Sequence, residues 1–222
     1  MHGAQGHTLG RLYTEQVFRD LGLPVADNWQ QAREALDSAR LVYMPLSVLS
    51  PRLEHLIQLR PILGLRSPVH SLARLLNPLD AKAVVQGIFH PPYGPRHAHA
   101  AQTIGYEQVS VIKGEGGEAE RNPDTATTTW HVVNGDVLER TWPALFERRH
   151  VKPDGLDVHH LRKVWQGESE DEYGEGAVVS TCALALVTLD PQLSEADALD
   201  RARELWQARD RNRLADTEPS KA

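Results

Sequence analysis

The sequence predicts an α/β protein with a central, mainly parallel sheet flanked by helices, an antiparallel hairpin and a helical C-terminal part. Strand-like runs at 83–89 and 109–113 enclose a helical pattern at 99–104, and this order and spacing favour a parallel crossover. Two β-rich runs within 127–142 are separated by Asn134 and Gly135, the strongest short signal for a hairpin. We therefore expect an antiparallel ribbon at the edge of a parallel sheet.

The N-terminal segment carries two helix signals. Thr14 can cap a helix through Leu21 that ends at Gly22, and Asn28 can cap a second helix through residue 39. The residues of the second helix expected to face the core are Trp29, Ala32 and Leu36. Residues 41–46 follow as a short buried-strand pattern.

The composition shifts after residue 152 and becomes acidic at 168–175. An apolar run at 175–189 then predicts a buried helix, and Ser194 can cap an amphipathic helix that continues to about residue 214. We expect an α/β domain over 1–152, a helical C-terminal part of the same domain over 153–214, and a disordered tail over 215–222.

Composition excludes several classes of protein. With 222 residues, of which 41% are apolar, the chain is long enough to bury a core. A net charge of −6 argues against bulk attraction to nucleic acid or anionic membrane, although a local basic patch still acts within a Debye length of roughly 8–10 Å. The single cysteine, Cys182, leaves no cysteine partner for a disulfide or a zinc site. The run at 177–189 is too short for a bilayer and no signal-peptide core is present, so we expect a cytoplasmic protein without membrane contact.

The stretch 50–80 combines helical periodicity with positive charge. Ser50 can cap a helix that Gly64 ends, and Ser67 can begin a second helix that stops at 77–78. The apolar residues expected to face the core are Leu53, Leu56, Ile57, Leu72, Leu75 and Leu76. Two short helices are therefore predicted to meet at a turn.

Cationic side chains concentrate in and beside these two helices. Arginine offers a planar fork of donors suited to carboxylate or phosphate, so the cluster is a candidate anion site. The alternative is that the cations form the solvated outer faces of amphipathic helices. Arg60 and Arg66 are the stronger candidates because they flank the turn at Gly64. The cluster consists of Arg52, Arg60, Arg66, Arg74 and Lys82, with His55 and His70, opposed only by Glu54 and Asp80.

A glycine-rich acidic loop at 113–121, KGEGGEAER, follows the strand at 109–113. Its glycines permit a sharp turn at the carboxyl end of the strand, where ligands of open α/β sheets bind. Glu115, Glu118 and Glu120 can supply carboxylates for a magnesium ion that bridges phosphates. The alternative is an exposed acidic turn. The spacing is not that of a Walker loop, and no HExxH, GxSxG or GxGxxG motif is present.

These residues resemble the anthranilate phosphoribosyltransferase family, which is related to the pyrimidine-nucleoside phosphorylases, over residues 2 to about 124. His2 and Gly3 resemble the end of the family's KHGNR stretch. The segment RPILGLRSPVHSLARLLNPL, from Arg60, resembles R-x-x-LG-I-R-T-x-x-N-x-x-GPL-x-NP, and IKGEGGEAE lies where the family has its G-x-x-G-x-DE magnesium loop. The closest likeness is to a paralogous branch that includes nucleic-acid-binding proteins.

The resemblance implies a dimeric glycosyltransferase of tryptophan biosynthesis, with a helical N-terminal domain and a large α/β domain. Such an enzyme transfers phosphoribose from phosphoribosyl pyrophosphate (PRPP) to an aromatic amine with Mg²⁺. Arg60 would hold the carboxylate of the acceptor, and Glu120 would be the surviving magnesium carboxylate. The residues assigned to substrate by the resemblance are His2, Gly3, Arg60, Arg66 and His70, and those assigned to metal are Glu120 and Glu115.

Several positions depart from the family pattern. Met1 replaces the family's lysine, Ala119 replaces the aspartate of the DE pair, and His70 stands where the family has asparagine. The family's GTGGD phosphate loop and helical domain would precede His2, so we expect the N-terminal part of the family to be missing. Loss of a single hydrogen-bond donor to developing charge lowers the rate by roughly 10²–10³. Since the whole phosphate loop is expected to be missing, we expect little transfer of phosphoribose from PRPP.

The sequence therefore leaves three functions open. The first is a truncated or degenerate family member that keeps the α/β fold, with Mg²⁺ needed only if phosphoribosyl transfer is retained. The second is a non-enzymatic module that binds DNA or RNA phosphates through Arg52, Arg60, Arg66, Arg74 and Lys82. The third is an inactive gene fragment that exposes core surface.

Overall fold

A computed structural model describes residues 1–4, 12–65, 67–151, 155 and 157–214. Its helices are α1 (Thr14–Asp20), α2 (Trp29–Ala39), α3 (Leu46–Leu49), α4 (Pro51–Gln58), α5 (Arg60–Leu63), α6 (Val69–Leu72), α7 (Gly94–Thr103), α8 (Val158–Gln166), α9 (Glu172–Leu189) and α10 (Glu195–Gln207). Its strands are β1 (His2–Gly3), β2 (Met44–Pro45), β3 (Ala83–Ile88), β4 (Gln108–Lys113), β5 (Thr127–Val133) and β6 (Asp136–Trp142). Short 3-10 turns lie at Ala73–Leu75, Pro91–Tyr93, Glu115–Gly117 and Arg211–Leu214.

The described residues form two compact units. Unit 1 contains the described parts of Met1–His70, Pro153–Glu170 and Asp210–Ala222, and unit 2 contains those of Ser71–Lys152 and Asp171–Arg209. Each unit therefore combines segments that are distant in the sequence.

Unit 2 is built on a four-stranded sheet of order β3-β4-β5-β6. β3 and β4 run parallel, with Val84 opposite Val109, and α7 makes the crossover between them. β4 and β5 are antiparallel, as are β5 and β6. The predicted α/β class, the parallel crossover and the antiparallel ribbon beside it are confirmed. Only one of the three strand pairings in this sheet is parallel, so the sheet is mixed rather than mainly parallel as the sequence predicts.

The turn between β5 and β6 forms as the sequence predicts. Asn134 and Gly135 have φ angles of 51° and 86°, the left-handed values that a two-residue hairpin turn of this type requires. Asparagine and glycine adopt this region at low cost, which explains why this dipeptide fixes the register of the hairpin.

Helices cover both faces of the unit 2 sheet. Ala98 and Ala101 of α7 pack with Val109 and Val111 of β4, which point to one face, around Trp130 of β5. Side chains alternate along a strand, so the intervening Ser110 points to the opposite face, where its hydroxyl lies 2.6 Å from that of Thr188 on α9. α10 packs against α9.

Unit 1 is mainly helical, with a small parallel pairing of β1 and β2. Its core cluster consists of Ala26, Ala32, Val42 and Met44, with Ala35, Leu36, Val48 and Leu49 packed against them. The indole of Trp165 on α8 donates to the carbonyl of Asp210 at 2.9 Å, which ties α8 to the 3-10 turn at Arg211–Leu214.

Helix ends confirm several predicted caps. The side chain of Asn28 accepts a hydrogen bond from the amide of Gln31 at 2.9 Å, and Ser194 accepts one from the amide of Asp197 at 3.1 Å. Gly64 ends α5 with a φ of 69°, as expected for a left-handed cap. Ser50 is the N-cap of α4, but its side chain makes no capping hydrogen bond. The predicted cap at Thr14 is wrong, because Thr14 is the first helical residue of α1 and Tyr13 is the N-cap.

Three predicted elements are shorter or interrupted. The helix expected to run from Ser50 to Gly64 breaks between Gln58 and Arg60, because Pro61 lacks the amide that a continuous helix needs. The strand expected at 41–46 is reduced to Met44–Pro45. The last long helix ends at Gln207, and the chain then continues to a separate 3-10 turn.

Three predicted core positions are wrong. Trp29, at the first position of α2, is 40% exposed, because Ala32, one turn later, is the first residue of α2 that belongs to the core cluster of unit 1. Leu72 is 57% exposed because α6 is a single turn and presents no continuous apolar face. Leu56 is 41% exposed on α4, where Ile57 is the buried residue.

No helix within the described residues is long and apolar enough to cross a bilayer. The predicted tail at 215–222 lies outside the described residues.

Candidate functional site

The acidic loop leaves the sheet at the carboxyl end of β4 and folds back on the end of β3. The amide of Gly114 donates to the carbonyl of Ile88 at 3.0 Å. A Cβ atom at Gly87 or Gly114 would collide with the backbone of Glu118, so both positions require glycine. The loop backbone therefore packs directly on the ends of β3 and β4, the two parallel strands, where the sequence places the candidate site.

Arg74 fixes this loop from the segment before β3. Its Nη1 atom donates to the carbonyl of Gly87 at 2.6 Å and also to the carbonyl of Gly117. Gly117 has a φ of 86°, and a Cβ atom there would lie 2.5 Å from Nη2 of Arg74. Arg74, a candidate phosphate contact from the sequence, thus has an internal structural role as the link between β3 and the acidic loop.

The carboxylates of the loop lie close enough to interact. Glu115, Glu118 and Glu120 are all exposed residues. Desolvation of its carboxyl and then the negative charges of Glu118 and Glu115 raise the pKa of Glu120. Within the part of the chain that the structure describes, no group of three or more histidine, cysteine, aspartate or glutamate side chains is placed to hold a metal ion. A cation here would therefore depend on one or two carboxylates together with water or ligand oxygens.

Arg121 anchors the far end of the loop. Its side chain is fully buried, and its Nη2 atom donates to the carbonyl of Pro143. The guanidinium carbon lies 4.9 Å from the centroid of the Trp142 ring, and the backbone amide donates to Thr181 Oγ1 at 2.9 Å. Burial lowers the pKa of Arg121 to about 10, so the side chain remains a cation at neutral pH. Arg74 thus holds the middle of the loop that carries Glu120, and Arg121 holds its end.

A cavity of about 340 Å³ lies beside the end of β4. Lys113 and Glu115 contribute opposite charges to its lining, and Trp130 contributes an aromatic ring. Asn122, Thr127 and Thr128 add amide and hydroxyl groups. This lining suits a small polar ligand that carries hydroxyl and charged groups.

The substrate residues implied by the family resemblance lie in unit 1. His2 and Gly3 form β1, and a Cβ atom at Gly3 would lie 2.6 Å from the hydroxyl of Tyr43. Arg60 begins α5 and is half-buried, and His70 Nδ1 lies 3.2 Å from the carbonyl of Ser67. Arg66 lies outside the described residues.

The remaining candidates divide between the units. Arg52 is exposed on α4 of unit 1. Lys82 is exposed just before β3 of unit 2, which also contains Arg74, Glu115 and Glu120. The structure therefore brings Arg74 together with the acidic loop, a contact that sequence reasoning missed because 43 residues separate Arg74 from Gly117.

The fold and the loop define the α/β domain of a glycosyltransferase. The glycosyl transferase family, a/b domain, matches residues 5–208, and the chain belongs to this family. An uncharacterized protein of Aquifex aeolicus is 29% identical over 141 residues, which cover 61% of this chain and 45% of that protein. The anthranilate phosphoribosyltransferase of Polynucleobacter necessarius is 28% identical over 123 residues, which cover 55% and 36%. The chain thus matches less than half the length of these relatives.

Solved structures share the fold. Anthranilate phosphoribosyltransferase (TrpD) from Thermus thermophilus superimposes with a TM-score of 0.76 at 22% identity, over 92% of this chain and 62% of that chain. The enzyme from Saccharomyces cerevisiae in complex with PRPP and Mg superimposes with a TM-score of 0.75 at 16% identity, over 96% and 61%. The predicted family and α/β fold are confirmed, whereas the paralogous branch stays a prediction.

Proposed function

We propose that this chain is a degenerate anthranilate phosphoribosyltransferase-like glycosyltransferase, which transfers phosphoribose from PRPP to an aromatic amine slowly or not at all. The loop after β4 carries the proposal. Glu120 keeps one carboxylate of the family's DE pair, and Ala119 replaces the other. The loop thus retains its place at the end of β4 and loses half of its paired charge.

Mg²⁺ fits the residues that remain. The loop offers carboxylate oxygens, the ligands that magnesium prefers, and the raised pKa of Glu120 reflects in part the charges of Glu118 and Glu115, which a divalent cation would offset. When bound, Mg²⁺ would offset the negative charge of the phosphates of PRPP. Glu120 and Glu115 are the proposed ligands, and Arg74 and Arg121 hold the loop in place around them.

The acceptor residues are proposed from the family resemblance. Arg60 would hold the carboxylate of the aromatic amine through its planar pair of donors. His2 and Gly3 would line the acceptor pocket, and Arg66 and His70 are proposed as further substrate-binding residues. Their assignment is supported by the family resemblance of the segment that begins at Arg60.

Anthranilate fluorescence tests the enzymatic part of the proposal. The chain is incubated with anthranilate, PRPP and Mg²⁺, and the loss of fluorescence is compared with buffer. We expect a wild-type rate close to the buffer rate and a gain in the A119D variant, since one group acting on developing charge contributes roughly 10²–10³ in rate. E120Q should remove this gain, whereas E118Q, in the same loop, should not. Clear wild-type turnover that E120Q abolishes would contradict the proposed loss of activity.

Dimerisation is proposed on the resemblance to the family. Light scattering tests it, since the 24.8 kDa chain should give twice that mass if it forms the dimer that the resemblance implies, and a monomer mass would contradict it.

A second proposed function is binding of nucleic-acid phosphates. It is supported by the exposure of Arg52 on α4 and of Lys82 before β3, where the cations can reach a ligand from solvent. Arg74 contributes least to this function because its Nη1 atom already bonds two backbone carbonyls.

Salt dependence tests this second function. The logarithm of the affinity for duplex DNA should fall with the logarithm of salt concentration, with a slope of about −0.9 per phosphate contacted. The double variant R52E/K82E should lose binding. R203E, a charge reversal at an exposed arginine of α10, should retain it. The absence of binding at low salt, or equal loss in R203E, would remove this function.

A further inference from the structure

His150 lies between two carboxylates in unit 2. Its Nδ1 atom lies 2.7 Å from Oδ1 of Asp124, and its Nε2 atom lies 2.9 Å from Oε2 of Glu172. The backbone amide of His150 also donates to Oδ2 of Asp124 at 2.7 Å. Both ring nitrogens and the amide of one residue thus face carboxylate oxygens.

This geometry requires the charged form of the imidazole. A carboxylate only accepts hydrogen bonds, and a neutral imidazole has a single N–H donor. Both short contacts are hydrogen bonds only when both ring nitrogens carry a proton. The arrangement therefore selects the imidazolium, which pairs with Asp124 and Glu172 at the same time.

His150 belongs to a segment that several other contacts also attach to the rest of unit 2. Residues 143–151, which we call the strap, follow β6 and contain no helix or strand. The amide of Leu145 donates to the carbonyl of Pro123 at 2.8 Å. The ring of Phe146 packs on Gly176 of α9, where a Cβ atom would lie 2.6 Å from the ring. The imidazolium adds one bond to the chain after the acidic loop and one to Glu172, in the first turn of α9 and one turn before Gly176.

Other charged or titratable groups surround this pair of contacts. On the strap, Arg148 donates to Glu172 Oε2 at 2.7 Å, and the charge of Arg149 acts on Asp124. On α9, the ring of Tyr173 lies 5.8 Å from that of His150, and burial raises the pKa of Tyr173 to about 12. Tyr173 therefore stays neutral, and His150 remains the group that titrates near neutral pH.

We propose that His150 is a proton-dependent tie that fastens the strap to the chain after the acidic loop and to the first turn of α9. Loss of its proton leaves a single N–H for two carboxylates, so one of the two imidazole hydrogen bonds is lost. The strap then loosens on that side, while the Arg148–Glu172 pair, the bonds of Pro143, Leu145 and the His150 amide, and the packing of Phe146 still hold it.

The direction of the pH effect follows from the contacts. The hydrogen bonds to Glu172 and then to Asp124 raise the pKa of His150 above 6.5. Because the pKa of His150 is higher in the folded chain than in the unfolded chain, both imidazole hydrogen bonds are present below the unfolded-chain pKa. One of them is lost as the pH rises through the folded-chain pKa. Alkaline conditions should therefore loosen the strap, and mildly acidic conditions should keep it fastened.

Two measurements on the full chain test the tie. Heteronuclear NMR of ¹³C-labelled histidine follows the titration of His150, and hydrogen exchange gives protection factors for the amides of the strap relative to their intrinsic rates. Between about pH 6 and about pH 9 we expect wild-type protection to fall about tenfold, the effect of losing a hydrogen bond between charged groups. H150Q should show low protection at both pH values, and H159Q, at an exposed histidine of α8, should behave as the wild type.

A second variant covers the case in which H150Q does not fold. D124N keeps the size of the side chain and removes one negative charge, so the pKa of His150 should fall and the pH at which protection is lost should move down with it. The proposal is overturned if His150 titrates at or below 6.5 in the wild type. It is also overturned if D124N leaves the titration unchanged, or if strap protection does not depend on pH.

Discussion

Replacement of Arg74 by methionine tests the link that holds the acidic loop. Methionine keeps an aliphatic side chain and removes the guanidinium, which donates from Nη1 to the carbonyls of Gly87 and Gly117. A hydrogen bond from a charged donor contributes about 1.5–3 kcal/mol. Because one nitrogen of a half-buried side chain makes both bonds, we expect R74M to lower the free energy of unfolding by about 2–3 kcal/mol rather than by the full sum.

Urea denaturation followed by circular dichroism measures this change. R52M, at an exposed arginine of α4, is the matched control and should lie within about 0.5 kcal/mol of the wild type. R74K should recover part of the loss, because an ammonium can reach one carbonyl but lacks the planar fork of donors. The reasoning is refuted if R74M is as stable as the wild type, or if R52M loses as much stability as R74M.

Two further changes test the packing of unit 2. G87A should lower the free energy of unfolding by about 1–3 kcal/mol, because its Cβ atom would collide with the backbone of the acidic loop. G155A, where no atom lies within 4 Å of the added Cβ, should be neutral, and equal stability of the two variants in urea would contradict this account. Burial lowers the pKa of His131 from 6.5 to about 4, so its contribution to stability is complete above pH 6.5 and falls by roughly 3 kcal/mol as pH drops through 4. H131Q should be less stable than the wild type at pH 7, because it loses bonds to Ser110 and Thr129. In urea titrations this difference in the free energy of unfolding should become smaller toward pH 4. A difference that does not change with pH would show that His131 does not titrate as expected.

Local signals in the sequence predict much of this fold. Asn134 and Gly135 specify the hairpin because few residues adopt left-handed φ angles. Asn28 and Ser194 mark helix starts because their side chains bond amides only three residues away. These predictions succeed since each depends on a few neighbouring residues. Trp29 fails for the converse reason, because its exposure depends on where distant segments form the core.

The interactions that build the candidate site carry no comparable signal. Arg74 reaches Gly117 across 43 residues, and His150 lies 26 residues from Asp124 and 22 from Glu172. A basic residue in an amphipathic segment is equally compatible with a solvated helix face and with contact to an anion. Only the packing of the acidic loop on β3 shows that the guanidinium of Arg74 is used internally.

The presence of an arginine at position 74, where the family pattern has a proline, also affects how the shape of the acidic loop is interpreted. Arg74 falls where the family segment has the proline of GPL, and Ala119 falls where the family has the aspartate of its DE pair. The first change adds a bond to the loop, and the second removes a charge from it. The loop is therefore bonded to β3 in part through an arginine that the family pattern lacks, so its position alone is no measure of retained chemistry. A119D should restore the charge without moving the backbone. The presence or absence of PRPP-dependent turnover in that variant therefore shows directly whether the loop can support phosphoribosyl transfer.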